Sequence, residues 1–137
     1  MGLTHIVCAV DGSEPSLRAV VLAAEMAKGL GARLSVVTVR SFVLGRSAAA
    51  GLPTPEEAAA VLEAAVELAR QSGCGSVAAV ELKGRDAAVS IADYADEHGA
   101  GMIVVGSTGK DALRRFALGS TSIDLLRKSA CPVTIVH

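Results

Sequence analysis

The chain has 137 residues, of which 51% are hydrophobic, and its formal net charge is −1. This length predicts one domain, residues 1–137, with a core that requires neither disulfides nor a structural metal. The near-neutral charge and the shortage of aromatic residues (two Phe, one Tyr, no Trp) argue against nucleic acid as a partner.

The chain is expected to begin with a strand and a helix. Thr4–Val10 contains a continuous apolar run, which is typical of a buried parallel strand. Asp-Gly-Ser interrupts the run, and Ser13 is a suitable N-cap for a helix over about Glu14–Lys28. Gly29 and Gly31 are expected to end this helix.

A second strand and a second helix follow, separated by a poorly patterned segment. The second strand is predicted at Arg33–Val39, and Ser41–Pro53 is interpreted as a mobile loop of small residues. Thr54, with Glu57 three residues later, forms a capping-box pattern at the start of a helix. This helix is expected to run to about Gln71.

The remaining elements continue the alternation of strands and helices. They are predicted at Val77–Leu82 (strand), Asp86–His98 (helix), Met102–Val105 (strand), Ser122–Lys128 (helix) and Pro132–Val136 (strand). Such alternation is typical of an α/β fold with an open parallel sheet and right-handed crossovers. In these sheets ligands bind outside the carboxyl ends of the strands.

A glycine-rich stretch between the fourth strand and the fourth helix is the strongest indication of a ligand. Gly106 and Gly109 follow the strand, and Gly119 and Ser120 precede the helix, with Ser120 a plausible N-cap. Unpaired amides and the dipole at a helix N-terminus favour phosphate, and glycine permits close approach to the main chain. The stretch does not match a Walker A loop or a dinucleotide fingerprint. The alternative is that these glycines only form turns.

The charged residues near the predicted site each have two interpretations. Lys110, Arg114 and Arg115 either contact phosphate groups or form a solvated cationic face. Asp11 either contacts the ligand or caps the turn before the first helix, and both roles are compatible.

These residues give the chain its resemblance to the universal stress protein family, specifically the ATP-binding branch. Gly106, Gly109, Gly119 and Ser120 match the family motif G-x2-G-x9-G-(S/T) without gaps. The resemblance extends from Ile-Val-Cys-Ala-Val-Asp-Gly-Ser-Glu near the start to Ser-Ala-Cys-Pro-Val-Thr-Ile-Val at the end. The fold it implies is a five-stranded parallel sheet in the order 3-2-1-4-5, with helices on both faces, similar to adenine nucleotide alpha hydrolases.

The resemblance also implies a binding site for ATP, with Mg²⁺ or Mn²⁺ bridging the phosphates rather than held in a protein metal site. By position, the implied nucleotide contacts are Ala9, Val10, Asp11, Val39, Gly106, Gly109, Gly119, Ser120 and Thr121. The first three would border the adenosine, the backbone of Val39 would bind adenine, and the last three would hold the phosphates.

Three classes of function remain open at this point. The first is a dimeric, nucleotide-dependent regulatory module in the stress response, which the intact motif favours. The second is a slow ATPase or an autophosphorylating protein, although no Ser/His/Asp set is apparent and no catalytic residue is assigned. The third is a dimeric interaction protein that does not use a nucleotide. AMP or a cyclic nucleotide is an alternative to ATP, and neither the stress signal nor a client protein follows from the sequence.

The sequence also predicts the cellular compartment and the assembly. Cys8, Cys74 and Cys131 are scattered, no signal peptide is recognisable, and no apolar run is long enough to span a bilayer, as expected of a cytoplasmic protein. The apolar last strand, Pro132–Val136, would lie at the sheet edge, which proteins normally cover. Pairing of this strand with that of a second copy would form a homodimer.

Overall fold

Strands and helices alternate along the whole described part of the chain, which in this computed structural model comprises residues 3–41, 53–108 and 118–137. The elements are β1 (His5–Ala9), α1 (Glu14–Leu30), β2 (Arg33–Ser41), α2 (Pro55–Gln71), β3 (Val77–Gly84), α3 (Ala87–Glu97), β4 (Met102–Gly106), α4 (Ser120–Lys128) and β5 (Val133–Val136). The predicted loop at Ser41–Pro53 lies mostly outside these residues.

The five strands form one parallel sheet in the order β3-β2-β1-β4-β5, which confirms the predicted α/β fold and strand order. In register, Ile6 of β1 pairs with Leu34 of β2 on one side and Met102 of β4 on the other. From β1 the chain adds β2 and β3 on one side of the sheet, and it then adds β4 and β5 on the other side. The pair of β1 and β4 is therefore the topological switch point, where open α/β sheets bind ligands.

Two apolar clusters, one on each face of the sheet, form the core. Successive residues of a strand point to opposite faces, so Ile6 packs with α1 and α2 while Val7 packs with α3 and α4. All five residues of β1 are buried. Coverage of both faces explains why β1 is continuously apolar from Ile6 to Ala9 instead of alternating.

The starts of α1 and α2 confirm the predicted N-caps. The hydroxyl of Ser13 accepts a hydrogen bond from the Ser16 amide at 3.3 Å, and the hydroxyl of Thr54 accepts one from the Glu57 amide at 3.1 Å. The predicted end of α1 needs a correction, because Gly29 lies inside the helix. Gly31 ends it in the left-handed conformation, with φ of 65°.

The start of α4 differs from the prediction, since the helix begins two residues before Ser122 and its N-cap lies one residue before Ser120. Gly119, rather than Ser120, is the N-cap, and Ser120 is the first helical residue. The backbone of Gly119 is extended, with φ of −70° and ψ of 161°, and its carbonyl accepts the Ile123 amide at 3.1 Å. The Gly119 amide donates to the Ser107 carbonyl at 2.7 Å, which holds Gly119 outside the helix.

Candidate functional site

A cavity of about 750 Å³ lies at the carboxyl edge of the sheet. Every predicted nucleotide contact among the described residues lines it: Ala9, Val10, Asp11, Val39, Gly106, Gly119, Ser120 and Thr121. Parallel strands end at the same edge and the helices that follow them begin there, which brings these distant segments together. Gly109, Lys110, Arg114 and Arg115 lie outside the described residues.

Asp11 has a structural role in addition to its place in the cavity wall. Its Oδ1 accepts a hydrogen bond from the Ser13 amide at 2.9 Å, which forms the turn that leads into α1. The turn interpretation is therefore correct. The cavity-facing position leaves the ligand interpretation compatible with it.

Gly106 is constrained by α1. A Cβ at this position would lie 2.7 Å from the Ser16 amide nitrogen and 2.8 Å from the Pro15 carbonyl carbon. Both are main-chain atoms, which cannot move away as a flexible side chain could. Glycine is therefore required here by the close packing of the first turn of α1 against the end of β4.

One end of the cavity is formed by the start of α4 and suits an anion. Thr108, Gly119, Ser120, Thr121 and Ser122 line this end. No side-chain cap to α4 is present among the described residues, whereas α1, α2 and α3 are each capped by a side chain. Ser122 instead donates its hydroxyl to the Gly106 carbonyl at 2.8 Å and ties α4 to β4. The amides and dipole of this helix start favour a phosphate.

The other end of the cavity is formed by the end of β2 and the start of α2. Val39, Pro53 and Glu57 line it. Next to Val39, Arg40 donates from Nε to the Pro53 carbonyl at 3.3 Å and pairs through Nη1 with Glu81 at 3.2 Å. Arg40 therefore fixes the start of α2 against the end of β2.

Several cavity residues were not predicted from the sequence. They come mainly from the first turns of the helices and from β2: Ser16, Thr38, Pro53, Glu57, Ala87 and Ile91. No motif marks them. The rule that each helix after a parallel strand begins at the ligand-binding edge would have indicated the first turns of α2 and α3.

Cys8 is close to the site in sequence but is chemically protected. It is fully buried in β1, and burial raises the pKa of its thiol to about 12. The thiol stays protonated at neutral pH and is a poor nucleophile. Within the described ranges, no group of three or more His, Cys, Asp or Glu could hold a metal ion, and no helix is long and apolar enough to cross a membrane.

Comparison with known proteins finds similarity to one family over nearly the whole chain. The family model described as the universal stress protein family matches residues 2–137. Universal stress protein YxiE of Bacillus subtilis strain 168 is 34% identical, and the match covers 94% of this chain and 95% of that protein.

Two solved structures are similar over their whole length. A universal stress protein in complex with cAMP has a TM-score of 0.79 and 28% identity, covering 100% of this chain and 99% of that one. A universal stress protein from Archaeoglobus fulgidus in complex with dAMP has a TM-score of 0.77 and 30% identity, covering 100% of both chains.

Proposed function

Because this chain belongs to the universal stress protein family, we propose that it is a regulatory module that binds ATP in the cavity at the sheet edge. The observation that carries the proposal is that one cavity joins the end of β2 to the first turn of α4. Asp11 and Val39 border the adenosine, and Gly119, Ser120 and Thr121 hold the phosphates.

The dimensions of the cavity support a nucleotide. β2 and β4 are separated by β1 alone, so their ends lie about 10 Å apart at the usual strand spacing. This span is comparable to the length of a nucleoside without its phosphates. The volume of about 750 Å³ also falls within the usual range of small-molecule sites.

The relatives support adenine as the base. The ligands of the two neighbouring structures, cAMP and dAMP, share adenine and a phosphate but differ in the sugar and in the form of the phosphate. The choice of ATP for this chain depends on the motif G-x2-G-x9-G-(S/T), in which Gly106, Gly119 and Ser120 belong to the described cavity wall.

A divalent cation, Mg²⁺ or Mn²⁺, is proposed to accompany the triphosphate. Mg²⁺ usually keeps several waters and binds through substrate phosphates with one or two carboxylates. Within the described residues no group of three His, Cys, Asp or Glu could hold a cation, so the phosphates and water would supply its ligands. When bound, the cation would neutralise phosphate charge.

The regulatory proposal is that nucleotide occupancy, rather than rapid hydrolysis, changes the properties of a homodimer. The start of α4 lines the cavity and α4 leads directly into the edge strand β5, so the site and the proposed dimer edge are joined by one helix. We place this module in the cytoplasm and in the stress response.

Calorimetric titration of nucleotide-free protein with ATP tests the binding proposal. Ser120→Glu adds a carboxylate to the first turn of α4, where it stabilises the helix but repels phosphate. We expect ATP affinity to fall at least tenfold in this variant and to fall much less in Ser120→Ala, which keeps the backbone amide. Folded native protein that binds no ATP, or Ser120→Glu that binds it normally, would contradict the proposal.

A further inference from the structure

Glu57 is held at the end of the cavity opposite to α4. Its amide donates to Thr54 at the start of α2, and Arg40 ties the preceding Pro53 to the end of β2. The sequence pattern indicates only a capping role for Glu57, yet the residue, whose side chain is exposed, also lines the cavity, as do Val39 and Val61.

The charge of Glu57 restricts what can lie beside it. Asp11 and Glu57 are the ionisable residues among the described cavity lining. A carboxylate repels phosphate, whereas the first turn of α4 attracts it. Repulsion by Glu57 and attraction by α4 favour a nucleotide whose phosphates lie at α4 and whose base lies towards Glu57, where Val39, Pro53 and Val61 also line the cavity.

An ionised carboxylate only accepts hydrogen bonds. At position 6 adenine carries an amino group, which donates, while hypoxanthine carries an oxo group, which accepts. We infer that Glu57 determines base specificity by accepting a hydrogen bond from the 6-amino group of adenine and by rejecting 6-oxo purines. This inference depends on the proposed function, because it assigns a specificity-determining residue to the same nucleotide site.

The test compares the affinities of ATP, ITP and 2′-deoxy-ATP for the native protein and for Glu57→Gln. We expect the native protein to prefer ATP to ITP by about tenfold or more, as for a hydrogen bond to a charged group. Glu57→Gln should bind ITP more tightly than the native protein does, because its amide can donate to the 6-oxo group. A misfolded variant would not gain affinity.

Glu56→Gln is the matched control. Glu56 is the neighbouring acidic residue in the first turn of α2 and is exposed like Glu57, but it is not among the residues that line the cavity. Removal of its charge changes the helix start in the same way. We expect this variant to keep the native preference for ATP over ITP. An equal change in both Gln variants would mean that net charge, rather than contact with the base, is responsible, and it would overturn the inference.

Other outcomes separate the inference from the proposed function. Equal affinity of the native protein for ATP and ITP would overturn the role of Glu57 while nucleotide binding stands. A Glu57→Gln protein that keeps the preference for ATP over ITP but no longer distinguishes ATP from 2′-deoxy-ATP would assign Glu57 to the ribose. That result would also overturn its role in base specificity. Failure of the native protein to bind any of the three nucleotides would instead overturn the proposed function.

Discussion

Gly106 belongs both to the family motif G-x2-G-x9-G-(S/T) and to the packing of α1. A glycine in such a motif is usually explained by close approach of a ligand to the backbone. Here the atoms nearest to the missing side chain belong to Pro15 and Ser16 of α1. Substitution of Gly106 should therefore reduce stability even when no nucleotide is present.

We expect Gly106→Ala to lower the free energy of unfolding by about 1–3 kcal/mol, as overpacking usually does. The reason is that the new Cβ would lie 2.7 Å from the Ser16 nitrogen and 2.8 Å from the Pro15 carbonyl carbon. Urea denaturation of nucleotide-free protein measures the change.

Gly29→Ala is the control for this prediction. Gly29 lies within α1, and a methyl group added there would meet no neighbouring atom within 4 Å, so alanine should raise stability by about 0.4–1 kcal/mol. A Gly106→Ala protein with the native urea midpoint would show that α1 can shift without cost, and the packing argument would fail.

The sequence places Gly106 in the site but does not reveal which atoms surround it. The motif is local, whereas the contact with Ser16 joins segments ninety positions apart along the chain. Glu57 is a second example. The local pattern predicts that the Thr54 hydroxyl accepts the Glu57 amide, whereas the position of Glu57 in the cavity wall depends on how α2 packs on the sheet.

At the scale of elements, helix starts were predictable where the side-chain cap is local. Ser13 and Thr54 each bond an amide three residues ahead, so a short stretch of sequence contains the whole interaction. At α4 the choice lies between two acceptable caps, Gly119 and Ser120. The bond from Gly119 to the Ser107 carbonyl decides it, and this bond crosses the glycine-rich loop.

Asp86 links two helices and should make their packing sensitive to acid. Its Oδ1 accepts the Val89 amide at 3.1 Å and caps α3, and its Oδ2 accepts from Lys128 of α4 at 3.2 Å. The bond from the Val89 amide, then that from Lys128, lowers the pKa of Asp86 below its ordinary value. A carboxyl group with a lowered pKa in the folded state stabilises the protein above its unfolded pKa.

We therefore expect the stability difference between native protein and Asp86→Ala to be largest near neutral pH. The difference should shrink as the pH falls below the ordinary value of 3.8 and through the lowered pKa of the folded state. In that range Asp86 of the native protein becomes protonated and loses its charge, so that neither protein has a charge at this position. Thermal unfolding of both proteins across this acid range measures the difference. A difference that stays constant with pH would mean that the ionised group contributes nothing to the packing of α3 with α4.

At the scale of the whole molecule, the strand order determines where the cavity forms. Alternation of strands and helices predicts a parallel sheet, but the order 3-2-1-4-5 came from the family resemblance, and the structure confirms it. This order sends α1 and α2 to one face and α3 and α4 to the other. The cavity opens between the helix starts of the two layers, and contact of its residues with a nucleotide stays a prediction.

The same order leaves β5 at one edge of the sheet, with its side chains half-buried. Ile103 donates its amide to the Pro132 carbonyl at 2.9 Å, and Ser107 donates to the Val136 carbonyl at 2.7 Å. Because strand residues bond alternately to either side, this register turns the main-chain groups of Val133 and Ile135 away from β4. They are available to pair with the β5 strand of a second copy.

We predict that the protein is a homodimer joined by antiparallel pairing of two β5 strands and that Val133→Pro makes it monomeric. Proline removes the outward amide of Val133 and is tolerated at the first residue of an edge strand. Val133→Ala shortens the side chain but keeps that amide, so it should remain dimeric. Light scattering coupled to size-exclusion chromatography distinguishes the two masses. A Val133→Pro protein that stays dimeric with the native melting temperature would place the interface on another surface, and a monomeric native protein would remove the dimer from the proposed function.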